Sequence, residues 1–205
     1  MYTKNQQAII RHTKEKVKTF FNSYPADAHN FDHALRVSKW AVIIAAAEKD
    51  NILLAELSGL LHDIGRAKET VPGNTKTHHE LSYEICQQWF REDKAFAALS
   101  KKDKLTILYT LRYHWNDAAN KYKTAWILRD ADKLDSFGQI GVKRTIEFFK
   151  NDDNIILHDL RLRYEMLHNL RSKKTQQIVK SKNLFKPVQN YQHRLLKSKI
   201  KSVEL

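Results

Sequence analysis

Ten histidines in 205 residues raise the question of what they bind, and the acids beside some of them suggest a cation. His62-Asp63 follows the apolar stretch Ser58-Gly59-Leu60-Leu61. An imidazole and a carboxylate are unfavourable beside such a run unless something pairs them. Neighbouring helical residues diverge by about 100°, yet at a helix end both can turn around one ion beyond the last turn. The other such pair, His158-Asp159, has polar and charged neighbours and reads as a surface pair. A second group, His29-Asn30-Phe31-Asp32-His33-Ala34-Leu35-Arg36-Val37, opens an apolar helix. His29 and His33 are four residues apart and could share a face, but His29 is expected at the cap. His33 lies inside the helix beside its apolar stripe, where the plain alternative is a hydrogen-bonded core histidine. The third group is Arg129-Asp130-Ala131-Asp132-Lys133-Leu134-Asp135. Acids crowded at a helix C-terminus oppose the negative end of its dipole. A bound cation would remove that penalty; the plain alternative is salt bridges to Arg129, Lys133 and Lys143.

The elements that must position these groups are helical throughout, because apolar residues recur at helical spacing. The spacing predicts helices over 4–22, 30–49, 52–64, 78–92, 102–115, 122–135, 137–150, 154–170 and 187–201. Gly65 is read as the stop after the third. Residues 66–77, with Pro72, Gly73 and Asn74, read as a loop, and Pro187 suits a first helical turn. Gly138 and Gly141 permit close helix contact. Trp40, Trp89, Trp115 and Trp126 fall on different helices and are read as core rather than as a base-stacking surface. No strand pattern, internal repeat or low-complexity linker is apparent.

The composition bounds the rest. A 42% hydrophobic chain of this length suits one sizeable core. No run of about 18 apolar residues indicates a membrane span, the polar N-terminus lacks a secretory signal, and the single Cys86 allows no internal disulfide. A reducing cytoplasm is the expected compartment. The formal charge of +13 is concentrated at one end: Arg171 to Leu205 holds ten Lys or Arg and one acid, Glu204. The expected organisation is therefore a helical domain over 1–170 and a basic segment over 171–205, read as a solvated amphipathic helix packed on the domain. A nucleic-acid contact through that segment is the competing reading.

His33 in a His-x-x-Arg-Val setting, Leu61-His62-Asp63-Ile64-Gly65-Arg66, and Asp130-Ala131-Asp132-Lys133-Leu134-Asp135 followed by Gly138 and Gly141 occur in that order. This H…HD…D pattern, spanning about residues 20–150, resembles the HD-domain superfamily of metal-dependent phosphohydrolases, and within it small stand-alone bacterial members, some of them nucleotide pyrophosphatases. The resemblance implies an all-α bundle with a metal held by His33, His62, Asp63 and Asp132. Asp132 is preferred to Asp130 because a small residue precedes it. Such mixed donors suit Mn, Fe, Co, Ni or Zn, with Mg as a further option, better than Ca. His79 and His114 match positions that hold a second metal in one branch and bind phosphate or water in another; one ion is expected rather than two, and His78 is expected to be a bystander.

By the same resemblance, the expected reaction is hydrolysis of a phosphate ester or phosphoanhydride, foremost of a nucleotide. Asp63 would take a proton from water and Arg66 would grip phosphate. Arg36 and Lys133 are further phosphate candidates. The alternatives are a binuclear-iron oxygenase of the same fold and a non-catalytic nucleic-acid-binding module. Substrate, oligomeric state, and any part for Asp130 or His29 are left open.

Overall fold

The computed structural model describes residues 2–26 and 28–203, with side chains as far as Ser198. Among these residues the chain forms α-helices and one 3-10 helix, and no strand. This is the all-α class expected. No described helix is long and apolar enough to cross a membrane. The chain divides into two compact units, residues 1–132 and 133–205.

The first unit contains α1 (Lys4–Ser23), α2 (Phe31–Ala47), α3 (Ile52–Leu61), the one-turn α4 (Arg66–Glu69), α5 (His78–Glu92), a 3-10 helix (Lys94–Ala98), α6 (Lys101–Tyr113) and most of α7 (Lys123–Asp135). Its starts are written in the sequence. The side chains of Thr3, Asn30, Asn51 and Ser100 each accept backbone N–H groups at a helix start, and a Thr77–Glu80 capping box opens α5. Such caps contribute about 1 kcal/mol each. Asn30 matters most, because it accepts from the N–H of Asp32 and of His33 and so sets where His33 stands on α2.

The most apolar helix, α3, is buried along almost its whole length and packs against α1, α2 and α6. Val17, Leu57, Leu61, Ile64, Phe96, Ile107 and Leu111 form the centre of this core. At the crossing of α2 and α3 only a glycine fits. A Cβ on Gly59 would lie 2.5 Å from the Cα of Ser38. The close crossing brings the residues after α3 level with the first turn of α2.

Two local expectations change. The third helix stops at Leu61 rather than at 64; His62 to Gly65 form turns, and α4 occupies the start of the segment read as loop. Gly65 is not a left-handed stop, since its φ is −65°. It is required for space: a Cβ there would lie 2.0 Å from the carbonyl oxygen of His78 and 2.7 Å from the N of Ser82. The N–H of Gly65 donates to Ser82 Oγ at 2.9 Å. The start of α5 therefore rests directly on the His62–Gly65 turn.

The second unit continues from the end of α7 with α8 (Gly138–Phe148), α9 (Asp153–His168), α10 (Lys173–Ser181) and α11 (Lys186–Val203). Helix α10 was not expected from the sequence, where its nine residues carry few apolar positions. Helix α11 packs on α8 and α9, burying Val188 and Leu195, as a basic amphipathic helix should. The charges of Lys199, Lys201 and Glu204 lie outside the described side chains. Asp135 pairs with Arg144 at 2.6 Å, and buried Arg163 binds Asp159 at 2.7 Å while donating to Ser136 O and Thr145 Oγ1. Asp135 thus takes part in a structural ion pair with Arg144, a partner the sequence reading did not name.

Candidate metal centre

Six side chains from five stretches of the first unit converge. His33 comes from the first turn of α2, His62 and Asp63 from the turn after α3, His78 from the start of α5, His114 from the end of α6, and Asp132 from the last turns of α7. The donors fall into two sets. In the first, His33 Nε2 lies 3.2 Å from His62 Nε2. Asp132 Oδ1 stands 3.4 Å from His33 Nε2 and 3.7 Å from His62 Nε2. In the second, Asp63 Oδ1 lies 3.6 Å from both His78 Nε2 and His114 Nε2. Asp63 joins the sets, because its Oδ2 is 3.6 Å from both His33 Nε2 and His62 Nε2.

The tautomers follow from the partners. A carbonyl oxygen only accepts, so His62 Nδ1 must donate to Gly59 O at 2.9 Å and His114 Nδ1 to Leu111 O at 2.7 Å. His78 Nδ1 likewise faces Glu69 Oε1 at 3.2 Å. In each neutral ring Nε2 then presents a lone pair to the centre, the usual outer hydrogen bond of a metal-binding histidine. Three lone pairs therefore point at the oxygens of one carboxylate that is 4% exposed. Asp63 Oδ1 has no hydrogen-bond partner among the described residues. Lone pairs facing a buried anion repel, and a cation between them reverses the sign. Donor separations of 3.2–3.7 Å suit atoms each about 2.1 Å from a shared ion. The residues present therefore fit a divalent transition metal.

The ionisation states agree. Burial raises the Asp63 carboxyl, but the positive charge that His62, His33, His29 and His114 carry when protonated outweighs it and holds it well below the ordinary carboxylate range. Burial also raises Asp132, and hydrogen bonds from the protonated rings of His33 and His62 bring it well below that range. Burial pushes His114 down to about 4 and lowers His78 as well. Near neutral pH the carboxylates are ionised and these two imidazoles neutral, the forms that bind metal.

The four expected ligands are together. The second set differs from expectation: His78 faces Asp63, whereas the sequence pointed to His79. Both open α5, where consecutive side chains diverge by about 100°. Gly65 brings the His78 end of the helix against the turn, and Glu69 holds it there through its backbone N–H and its ring. His79 turns aside and lies against Trp115, ring centroids 5.3 Å apart. No spacing signal separates His78 from His79, so the sequence could not choose. His29 reaches within 4.0 Å of Asp63 Oδ2. Arg66 is held by Glu69 at 2.7 Å with its Nε 3.8 Å from Asp63 Oδ2. Arg36 is half-buried one turn after His33, and Lys133 follows Asp132 on α7. Buried Asp130 lies two residues before Asp132, on a different side of α7.

Two further residues escaped the sequence reading. Arg129, 3% exposed, donates to Tyr113 O, Ala119 O and Asn120 Oδ1 at 2.9–3.2 Å and pairs with Asp117 at 3.4 Å. It clamps the loop that follows His114. Trp115, expected in the core, is 59% exposed.

The model of the HD domain family matches residues 30–136. That is just over half of the chain and includes all six converging residues, and the chain belongs to the HD-domain family. Among solved structures it is similar to YpgQ of Bacillus subtilis in complex with ADP, with a TM-score of 0.71 and 17% identity over 95% of this chain and 96% of that one. It is also similar to a predicted HD superfamily hydrolase from an uncultured Thermotogales bacterium, at 0.58 and 28% over 67% and 74% of the two chains. An HD-superfamily hydrolase from Bacillus thuringiensis matches at 0.64 and 19% over 97% and 98%.

Proposed function

We propose that this protein is a metal-dependent phosphohydrolase that cleaves a phosphate ester or phosphoanhydride, foremost in a nucleotide. One observation carries the reading: the Nε2 atoms of His33, His62, His78 and His114 converge on a single buried carboxylate, Asp63, whose Oδ1 has no hydrogen-bond partner among the described residues. Family membership supports it, and the ADP in the YpgQ complex supports a nucleotide as substrate.

His33, His62, Asp63 and Asp132 would hold one ion, and Asp63, His78 and His114 a second, with Asp63 shared. A divalent transition metal in such a site supplies a Lewis acid for a phosphoryl oxygen and a bound water of lowered pKa. The chain supplies the rest. Asp63 would take the proton of the attacking water. Arg66, braced through one nitrogen by Glu69, keeps its Nε free of hydrogen bonds among the described residues and donates it to a phosphate oxygen. That hydrogen bond strengthens as charge builds on the oxygen. Arg36 and Lys133 are the further cations for the outer phosphate.

The test is elemental analysis of the purified protein after Mn loading, paired with hydrolysis of nucleoside triphosphates and simple phosphate esters. About two metal equivalents are expected, both lost in Asp63→Ala, with one retained in His78→Ala/His114→Ala. Absence of metal after loading, or metal-dependent hydrolysis that survives in folded Asp63→Ala, would falsify the reading. Two equivalents of iron with oxygen consumption and no phosphate release would assign the same donors to an oxygenase instead.

A further inference from the structure

A tryptophan ring is large and apolar, and burial is its usual fate. Trp115 is 59% exposed, the most exposed of the large hydrophobic side chains described. Yet it is held in place. Its Nε1–H donates to Arg112 O at 3.2 Å. Its ring lies against that of His79, centroids 5.3 Å apart and planes 31° apart. The loop that carries it is fastened by buried Arg129 through Tyr113, Ala119 and Asn120. The chain has therefore fixed an indole in one orientation while leaving most of it in water. That is the condition for binding a flat ligand with little loss of conformational freedom.

Its place gives the arrangement meaning. Trp115 follows His114 and its partner His79 follows His78, so each half of the aromatic pair is the chain neighbour of a residue in the second donor set. The His79 ring, which lies against the indole, is 6.2 Å from the His114 ring and 5.1 Å from the His78 ring. A phosphate compound whose phosphates lie at the cluster would carry its other end past His79 onto Trp115.

We propose that Trp115, backed by His79, is the platform on which the nucleobase of the substrate stacks. The inference rests on the phosphohydrolase reading and adds to it a specificity residue and a substrate class: phosphate compounds that carry a planar heteroaromatic ring, in preference to sugar phosphates or inorganic polyphosphates. Every base has a π-face, so a stacking platform discriminates weakly among bases. Adenine, guanine and cytosine nucleotides should all bind.

The test follows tryptophan emission when the Mn-loaded full-length protein is mixed with ADP, GDP or CDP, with inorganic pyrophosphate as the base-free probe, reading the amplitude before turnover. All three nucleotides should quench wild type and pyrophosphate should not. Trp115→Phe should lose the quench yet keep most of the affinity, because a ring remains. Trp115→Ala should raise the Kd for ADP about tenfold and leave that for pyrophosphate unchanged. Three results overturn the proposal: a quench by ADP that persists in Trp115→Phe, an equal loss of ADP and pyrophosphate affinity in Trp115→Ala, or hydrolysis of base-free phosphates with no affinity for nucleotides. In each, the wild-type protein still binds phosphate and only the platform fails. A metal-loaded protein that binds neither ADP nor pyrophosphate overturns the phosphohydrolase reading and the platform with it.

Discussion

Gly65→Ala is the most demanding test of how the second donor set is built. The added Cβ would lie 2.0 Å from His78 O, a backbone atom, and 2.7 Å from Ser82 N. A Cβ essentially never comes within 3.0 Å of such an atom, so the start of α5 must retreat from the turn by about 1 Å. Overpacking of this kind costs about 1–3 kcal/mol, enough to lower Tm by roughly 3–10 °C in a chain of this size. The consequence for the site is sharper. Metal–ligand distances tolerate deviations of about 0.2 Å, so His78 would leave the second set while His33, His62 and Asp132, which α5 does not carry, remain. Metal analysis should therefore find about one equivalent instead of two, and hydrolysis should fall about 100-fold. His78→Ala should reproduce the metal loss with a smaller change in Tm. A Gly65→Ala protein with wild-type Tm, two metal equivalents and activity within about twofold of wild type would refute the claim that contact between Gly65 and His78 sets the site.

Three other outcomes are expected. Arg129→Met keeps the aliphatic stem but strands the carbonyls of Tyr113 and Ala119, so urea unfolding should show a loss of about 3 kcal/mol, with faster hydrogen exchange over 113–120; unchanged exchange would show that the loop holds itself. Asp93 binds Lys16 and His12 at 2.8 Å each; burial raises its carboxyl, but these partners and the Ala95 N–H hold it well below the usual value. A lowered folded pKa means stability present above the unfolded pKa of about 4 and lost as pH falls further. Asp93→Asn, which can still cap the 3-10 helix, should be about 1.5 kcal/mol less stable than wild type at pH 7, and the gap should close below pH 4; a gap independent of pH would exclude the charge as its source. Finally, Mn at 100 times its Kd should stabilise the metal-free protein by about 2.7 kcal/mol, seen as a Tm rise of roughly 5–10 °C, and the rise should vanish in Asp63→Ala.

Much of the fold was legible because its helices carry their own signals. The apolar stripes of α1, α2 and α3 and the caps at Thr3, Asn30, Asn51 and Ser100 are local features. Helix α10 was missed because only Ile178 and Val179 mark its buried side together with Thr175, and a nine-residue helix offers too few turns for periodicity to emerge. Gly65 was misread for a different reason. Glycine after an apolar helix has two uses, a left-handed stop and a close approach, and the second depends on Ser82 and His78, distant in sequence.

The same distinction runs through the site. His33, His62 and Asp63 stood out because each sits where its chemistry conflicts with its local surroundings, an imidazole on an apolar stripe and a charged pair closing a buried helix; the acids at the end of α7 stood out as a group at the negative end of a dipole, and only the family resemblance singled out Asp132 among them. His78 and Trp115 show no such conflict. A histidine at the start of a helix is ordinary, and a tryptophan in a chain rich in apolar helices is expected inside. Their positions come from tertiary contacts instead. Gly65 admits the end of α5, Glu69 takes the His78 ring, and Arg129 pins the loop at 113–120. None of these three residues belongs to either donor set, yet each sets where His78 or Trp115 stands. Positioning residues of this kind leave no local anomaly, and the one outward sign of their work is a side chain held where its type does not belong, as the exposed ring of Trp115 is.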